Sequence, residues 1–323
     1  MTEALITIPG TVLVIEYGHL YHDDPLITRP WQPFNASANE FHDPKMMYNY
    51  TSVPQHALNN RRTPVSAAAT VGGGSTVNGM FLNRGSREDY DAWEALGNPG
   101  WSWKDLLPYF RRSVTFTPPG EWIQREYGMT YDTEAAYGGN GAVHASNPAW
   151  AWPGMKAQIK GWLELGLKMQ KEGAGGDAFG IFWVPRAQHP KTQTRSYAVT
   201  GHLDRAMERS NFALLEGHRV QRVLLGQDNA AESVVVKARF GEGERVVRAR
   251  KEVVLAAGLH SPIILQRSGI GPRNLLESAN IPVRVDLPGV GANLQDHPAA
   301  GISFECTSPG CCSLSSQNAT MLT

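Results

Sequence analysis

Two features of this sequence combine residue types and spacing that can do chemistry: Glu16, and the glycine-rich run over 71–79. Residues 11–15, Thr-Val-Leu-Val-Ile, are an unbroken β-branched and apolar stretch that stops at Glu16 and then Gly18. Such a stretch reads as a buried parallel strand with an acid at its carboxyl end. In dinucleotide-binding folds an acid so placed accepts hydrogen bonds from a ribose, about 20 residues after a Gly-rich first turn. Only ten residues precede the stretch, too few for that turn with its strand and helix. The second feature is Val71-Gly72-Gly73-Gly74-Ser75-Thr76-Val77-Asn78-Gly79. Its glycines let a backbone approach a ligand closely, and several N–H groups in a row would suit an anion or a ring edge. A flexible turn between two elements is the plainer alternative.

These residues need a framework, and the pattern predicts an α/β one. Residues 19–65 are polar, rich in Pro, His and Asn and without a sustained period, which predicts a long surface loop. Ser86 caps a helix with Asp89 three residues on; Tyr90, Trp93 and Leu96 share a face, and Gly97 ends it. Ser102 and Asp105 repeat the device for a helix carrying Leu106, Leu107 and Phe110, and the aromatics read as core. A third helix over 155–169 follows Pro153 and places Ile159, Trp162, Leu163 and Met169 inward. After a helix near 197–208 the period falls to two. Residues 212–215, 219–225, 233–240 and 245–249 then predict an antiparallel meander, and 252–257 a short buried strand ending at Gly258.

Composition narrows the function classes. The chain has 323 residues, 41% hydrophobic and 19% charged, which is globular rather than disordered. Its formal net charge is zero, so no overall field draws a polyanion, and nucleic acid is not an expected partner. No apolar run approaches the roughly 18 residues of a membrane span. Residues 1–9 lack the basic start and cleavage site of a signal peptide. Cys306, Cys311 and Cys312 have no metal-ligand spacing and read as free thiols in an irregular tail. Sequons at Asn35, Asn49 and Asn318 lean towards secretion.

Read together, these motifs resemble the glucose–methanol–choline (GMC) family of flavoprotein oxidoreductases. The segment 71–103, with Gly-Gly-Gly-Ser-Thr-Val-Asn, Arg84-Gly85-Ser86, Asp89-Tyr90-Asp91, Trp93 and Gly100-Trp101, is similar to the family's first signature. The segment 261–272, ending Ser268-Gly269-Ile270-Gly271-Pro272, is similar to its second. Further matches are 12–18, Gly138 to Gly141 with Val143-His144, Gly217-His218-Arg219-Val220, and 287–297, so that the resemblance covers about 11–305. It implies FAD and the oxidation of a small-molecule alcohol, of the kind handled by fungal aryl-alcohol and glucose oxidases, with oxygen or a quinone taking the electrons. Glu16 would hold the adenosine ribose, Val220 would meet the adenine through its backbone, and 72–78 would wrap the pyrophosphate and isoalloxazine. The cofactor-binding set so implied is Glu16, Gly72, Gly73, Gly74, Ser75, Thr76, Val77, Asn78, Gly79, Val220 and Gly258. Where some members attach FAD through a histidine, this sequence has Val77, which implies a non-covalent flavin.

The sequence also departs from the family. It has no Gly-x-Gly-x-x-Gly turn, and the catalytic His expected of the family falls beyond Thr323, which leaves the catalytic residue unknown. His297, after Asp296, would be the first substitute to examine, although it reads more simply as structural. Only Leu259 and His260 separate Gly258 from Ser261, where members usually have three residues. One residue on a helix is about 100°, so the turn must absorb the deletion or the helix face is misaligned. The expected organisation is an incomplete Rossmann-like FAD-binding domain in two parts, 1–110 and 196–305, an inserted substrate-domain region at 111–195, and a tail at 306–323. The expected function is an FAD-dependent oxidoreductase acting on CH–OH donors; the alternative is a non-catalytic, truncated chain of the same kind.

Overall fold

The structure is a computed structural model that describes residues 10–29 and 45–296. His297, the three cysteines, the sequons at Asn35 and Asn318, and the tail at 306–323 lie outside the described residues. Twelve strands form five small sheets among the described residues. Strand β1 (Val12–Ile15) runs parallel to β7 (Phe212–Leu215), Val12 opposite Phe212 and Ile15 opposite Leu215. The predicted parallel strand is therefore present, but it is not buried throughout: Leu13 is 44% exposed. A strand covered on both faces needs neighbours on both sides, and β1 has one strand partner among the described residues.

The same pairing corrects the meander. Residues 212–215 belong beside β1, while β8 (His218–Leu225), β9 (Ala231–Ala238) and β10 (Glu244–Arg248) form the antiparallel sheet in the order β10-β9-β8. Alternation by itself does not say which neighbour a strand takes, and the backbone bond from Val12 N–H to the Asn211 carbonyl (2.8 Å) commits β7 to β1. Residues 252–257 pack Val253, Leu255 and Ala257 against the meander core of Val223, Val234, Val236 and Ile264, but pair with no described strand. Their apolar run is strand-like; a ladder also requires a partner.

The predicted loop over 19–65 holds more order than its composition shows. A short helix at Pro25–Thr28 is capped by Asp24, and β2 (Met47–Thr51) pairs with β3 (Pro64–Ala68). Its polar alternation, Tyr-Asn-Tyr-Thr, was masked by flanking Pro and Asn. Val71, Tyr197, Val199 and Leu203 close a core with Ile27, Met46 and Met47 directly behind the glycine run.

Helix starts follow the predicted caps. Ser86 and Asp89 form a reciprocal capping box on the helix Arg87–Ala95, and Ser102 caps Trp103–Ser113. The faces are another matter: Trp103 is buried, whereas Trp93 and Trp101 lie on the surface and Leu96 is 81% exposed. The third helix stops at Glu164, five residues early, because Gly166 takes φ +87°, and its Trp162 and Leu163 are exposed rather than inward. The expected helix near 197–208 divides into a wide turn, Val199–Leu203, and a helix, Asp204–Met207. In the middle of the chain β4 (Val114–Thr117), β5 (Val143–Ser146) and β6 (Arg186–Ala187) form one mixed sheet. Strands β11 (Ile270–Gly271) and β12 (Val285–Asp286) pair in parallel after the helix Ser261–Arg267. That helix packs on the meander: Ile264 is buried in its core, and the Ser268 hydroxyl accepts the Val223 N–H at 2.8 Å. Gly258–His260, the short segment before it, forms a 3₁₀ turn.

Two expectations follow. Replacing Ser86 by Ala removes one half of the capping box and should cost about 1 kcal/mol of stability, read as a lowered denaturation midpoint with an unchanged slope; an unaltered midpoint would show the box to be idle. The edge of β1 and the 252–257 segment, neither paired among the described residues, and the exposed Trp150, Trp152 and Trp162 together predict self-association of the 323-residue chain. A monodisperse monomer across a concentration series in light scattering would contradict that.

Candidate functional site

The carboxyl end of β1 is clamped into a corner. Glu16 donates its N–H to the Leu215 carbonyl (3.0 Å), its own carbonyl accepts the His218 N–H (2.9 Å), and Gly217 N–H reaches the Gly18 carbonyl (3.1 Å). These bonds carry the chain from β7 into β8 beside Glu16, and Val220 lies two residues further along β8. Val220 pairs with Val236 immediately before a register break at Arg222. The Glu16 carboxylate accepts the Gly18 N–H at 2.8 Å. Burial pushes its pKa above the ordinary carboxylate value, against the lowering influence of the Gly18 and Tyr17 N–H groups and the Arg239 charge.

Gly18 connects this corner to the glycine run. A Cβ at Gly18 would lie 2.3 Å from the carbonyl carbon and oxygen of Ala69 and the Cα of Thr70, so the two backbones touch where only a glycine fits. His19 bridges Thr70, and Val71 N–H donates to the His19 carbonyl at 3.1 Å. Glu16 and the glycine run are thereby placed on adjacent strands of backbone.

The run itself is a tight turn. Gly72 and Gly73 take φ of +102° and +53°, and Gly73–Thr76 forms one 3₁₀ turn. The expected row of free N–H groups is not what folds: Gly73 donates to Thr70, Ser75 to Gly72, and Val77 and Asn78 both to Gly74. A 3₁₀ turn consumes amides that an extended loop would leave open. The hydroxyls are also turned inward, Ser75 to the Gly72 carbonyl (2.6 Å) and Thr76 to the Gly73 carbonyl (2.7 Å). What remains open is the face at Gly73 and Gly74, where an added Cβ would meet nothing within 4 Å. Val77 packs against the core behind the turn, and the Asn78 side-chain oxygen accepts the Met80 N–H at 3.0 Å. Gly79 follows, with space limited by the Phe81 ring. Beneath the turn lies Arg195, a residue that no motif or spacing in the sequence marks, bonded to Ser75 and Asn78.

Gly258 is joined to the same corner by rings. Tyr17 stacks on Tyr48 (5.0 Å, 15°), Tyr48 stacks on Tyr50 (5.0 Å, 8°), and the Tyr50 hydroxyl hydrogen-bonds His260 Nε2, two residues past Gly258. Arg219 and Arg239 lie over Tyr17 at 4.8 and 4.6 Å. Burial, with a smaller contribution from the Glu16 charge, raises the Tyr48 pKa, and burial, with the charges of Arg219 and Arg267, lowers that of His260. The column was not foreseen, because Tyr48 and Tyr50 sit in the segment that composition assigns to a loop. The arrangement can hold a ligand that offers hydroxyls to Glu16 and lays a flat or anionic part on the Gly73–Gly74 face. Among the described residues there is no cluster of three metal-ligating side chains, and no helix is long and apolar enough to cross a membrane.

Comparison with known proteins agrees with this frame. The chain is 39% identical over 298 residues to the dehydrogenase xptC of Emericella nidulans, an alignment covering 92% of this chain and 46% of that protein. It is 36% identical over 263 residues to an oxygen-dependent choline dehydrogenase of Pseudomonas fluorescens, covering 80% of this chain and 44% of that one. Among solved structures, an FAD-dependent oxidoreductase from Chaetomium thermophilum superposes with a TM-score of 0.80 at 41% identity, over 86% of this chain and 46% of that one. A fungal aryl-alcohol oxidase does so with a TM-score of 0.79 at 38% identity, over 91% and 49%. The chain thus spans about half the length of the curated relatives it matches. Residues 10–299 match the model of the GMC oxidoreductase family, and the chain belongs to that family.

Proposed function

We propose that this chain holds FAD, non-covalently, for the oxidation of a small-molecule alcohol, with oxygen or a quinone as the final acceptor. The observation that carries the reading is the contact of Gly18 with Ala69 and Thr70, which sets the acid of β1 beside the glycine turn. The residues present fit the group. Glu16 is an acceptor for ribose hydroxyls, the open Gly73–Gly74 face admits a diphosphate or ring edge, and β8 offers backbone at Val220. Val77 supplies no nucleophile, and its contact with the core leaves a dissociable flavin as the consistent form. When bound, FAD supplies the acceptor for the hydride of the alcohol carbon. The residues of this chain bind and orient: Glu16 takes the ribose end, the glycine turn receives the diphosphate, and Gly258 is tied to the Glu16 corner through His260 and the tyrosine column.

Flavin uptake tests the reading. The chain mixed with FAD should quench its fluorescence and perturb its absorbance, and Gly18→Ala should abolish that uptake, because the backbones must separate to admit a Cβ. Uptake at full strength by the variant would remove the contact from the argument. Glu16→Gln should weaken FAD binding about 10- to 100-fold, the worth of a hydrogen bond to a charged group. The pH dependence has a definite sign: the ionised carboxylate is the acceptor, and burial raises its pKa. Wild-type affinity should therefore decline on acidification at a pH above that at which an exposed Glu protonates, while the Gln variant stays flat. Parallel profiles would exclude Glu16 as the ribose acceptor.

A further inference from the structure

We infer that Arg195 is the positioning residue of the glycine turn and the buried cation that faces an anionic ligand resting on it. The inference rests on the FAD reading and deepens it. Arg195 is 3% exposed. Its Nε donates to the Ile27 carbonyl (2.8 Å); its Nη1 donates to the Asn78 carbonyl and side-chain oxygens (2.8 Å each) and to the Ser75 carbonyl (3.3 Å). Its own backbone N–H donates to the Thr28 carbonyl (2.8 Å). Three residues on, the Ala198 N–H donates to the Ser75 hydroxyl at 3.1 Å, so one segment grips the turn twice.

All the oxygens that meet the guanidinium are neutral, and no described carboxylate forms an ion pair with it. A charge taken from water without a counter-ion is costly unless something compensates it. Burial lowers its pKa, to about 10, which leaves it protonated at neutral pH. The bonds also orient the turn. In a planar trans peptide the C=O of one residue and the N–H of the next point in opposite directions. Drawing the Ser75 and Asn78 carbonyls towards Arg195 therefore aims the N–H groups of Thr76 and Gly79 away from it. The planar fork is what allows one side chain to span Ile27, Ser75 and Asn78 together, and a Lys ammonium has no such fork. A cation on the inner side of an open glycine face raises the potential there for a diphosphate and leaves it unchanged for a neutral ring system.

The experiment titrates the 323-residue chain with FAD, ADP and riboflavin for wild type, Arg195→Met and Arg195→Lys, with hydrogen exchange of the turn amides in the free chain and a thermal melt of each. Arg195→Met should weaken FAD and ADP about 10- to 100-fold, as for loss of a charged hydrogen-bonding partner, and leave riboflavin unchanged. Arg195→Lys should recover part of the ADP affinity, because it keeps the charge, yet exchange the turn amides about tenfold faster than wild type, because it loses the fork. Wild-type affinity for FAD and ADP in Arg195→Met overturns the inference, and so does an equal loss for ADP and riboflavin, which would mark a merely structural role. A wild-type chain that binds none of the three overturns the FAD reading itself and the inference with it. Should Arg195→Met lose its cooperative melt, Arg195→Lys decides alone: unchanged turn exchange and unchanged FAD affinity overturn the inference.

Discussion

The contact between Gly18 and the backbone at Ala69 and Thr70 is the constraint on which the rest of the site depends. Two segments fifty residues apart in sequence are brought to a distance that excludes even a methyl group, so the acid at the end of β1 and the turn that begins at Gly72 cannot drift independently. The parallel bridge of His19 with Thr70, which carries the Val71 N–H to the His19 carbonyl, extends the contact by one step. Gly217 closes the other side, with φ +65° and a Cβ position 2.7 Å from the His19 ring. Both glycines are required for close approach; only Gly217 is also required for its φ.

Around that contact the charges are arranged in opposition. Glu16 is a carboxyl group raised in pKa by burial on one flank of the turn, and Arg195 is a cation lowered in pKa by burial behind it. Neither is paired with the other, and each is satisfied chiefly by backbone: Glu16 by the Gly18 N–H, Arg195 by the Ile27, Ser75 and Asn78 oxygens. Groups held this way lose little to reorganisation when a ligand arrives, because peptide dipoles of the fold have already fixed their direction. A ligand with hydroxyls at one end and negative charge further along matches the sequence of partners.

Local chemistry was legible in the sequence and non-local chemistry was not. Ser86 with Asp89, and Ser102 with Asp105, announce helix starts because capping is settled within four residues. Glu16 and the glycine run were legible for the same reason: their type and order carry the resemblance without any knowledge of distance. Strand partners were lost, since the apolar alternation of 212–215 fits a meander as well as it fits a parallel neighbour to β1, and a run such as 252–257 does not state whether anything lies beside it. Burial of Trp93 and Leu96 was misread because amphipathic spacing names a face and leaves open whether another element covers it. Arg195 escaped for a deeper reason: its function comes from three carbonyls contributed by Ile27, Ser75 and Asn78, which no spacing rule can connect.

The tyrosine column shows what such hidden contacts do for the site as a whole. Among the described residues no strand joins β1 to 252–257; Ile15, Leu255 and Ala257 meet instead in the meander core with Val223 and Ile264. The β2–β3 hairpin adds a second tie, through Tyr48 and Tyr50 between Tyr17 and His260. Ring stacking constrains the distance between planes far more than it constrains sliding within them, whereas a β-ladder fixes both. The Glu16 corner is thus joined to the glycine turn by backbone contact and to the turn before Ser261 by side-chain contact. Arg219 and Arg239 over Tyr17 cover the end of the column nearest Glu16, and the Tyr50–His260 hydrogen bond closes the other end on the 3₁₀ turn that leads into the helix Ser261–Arg267.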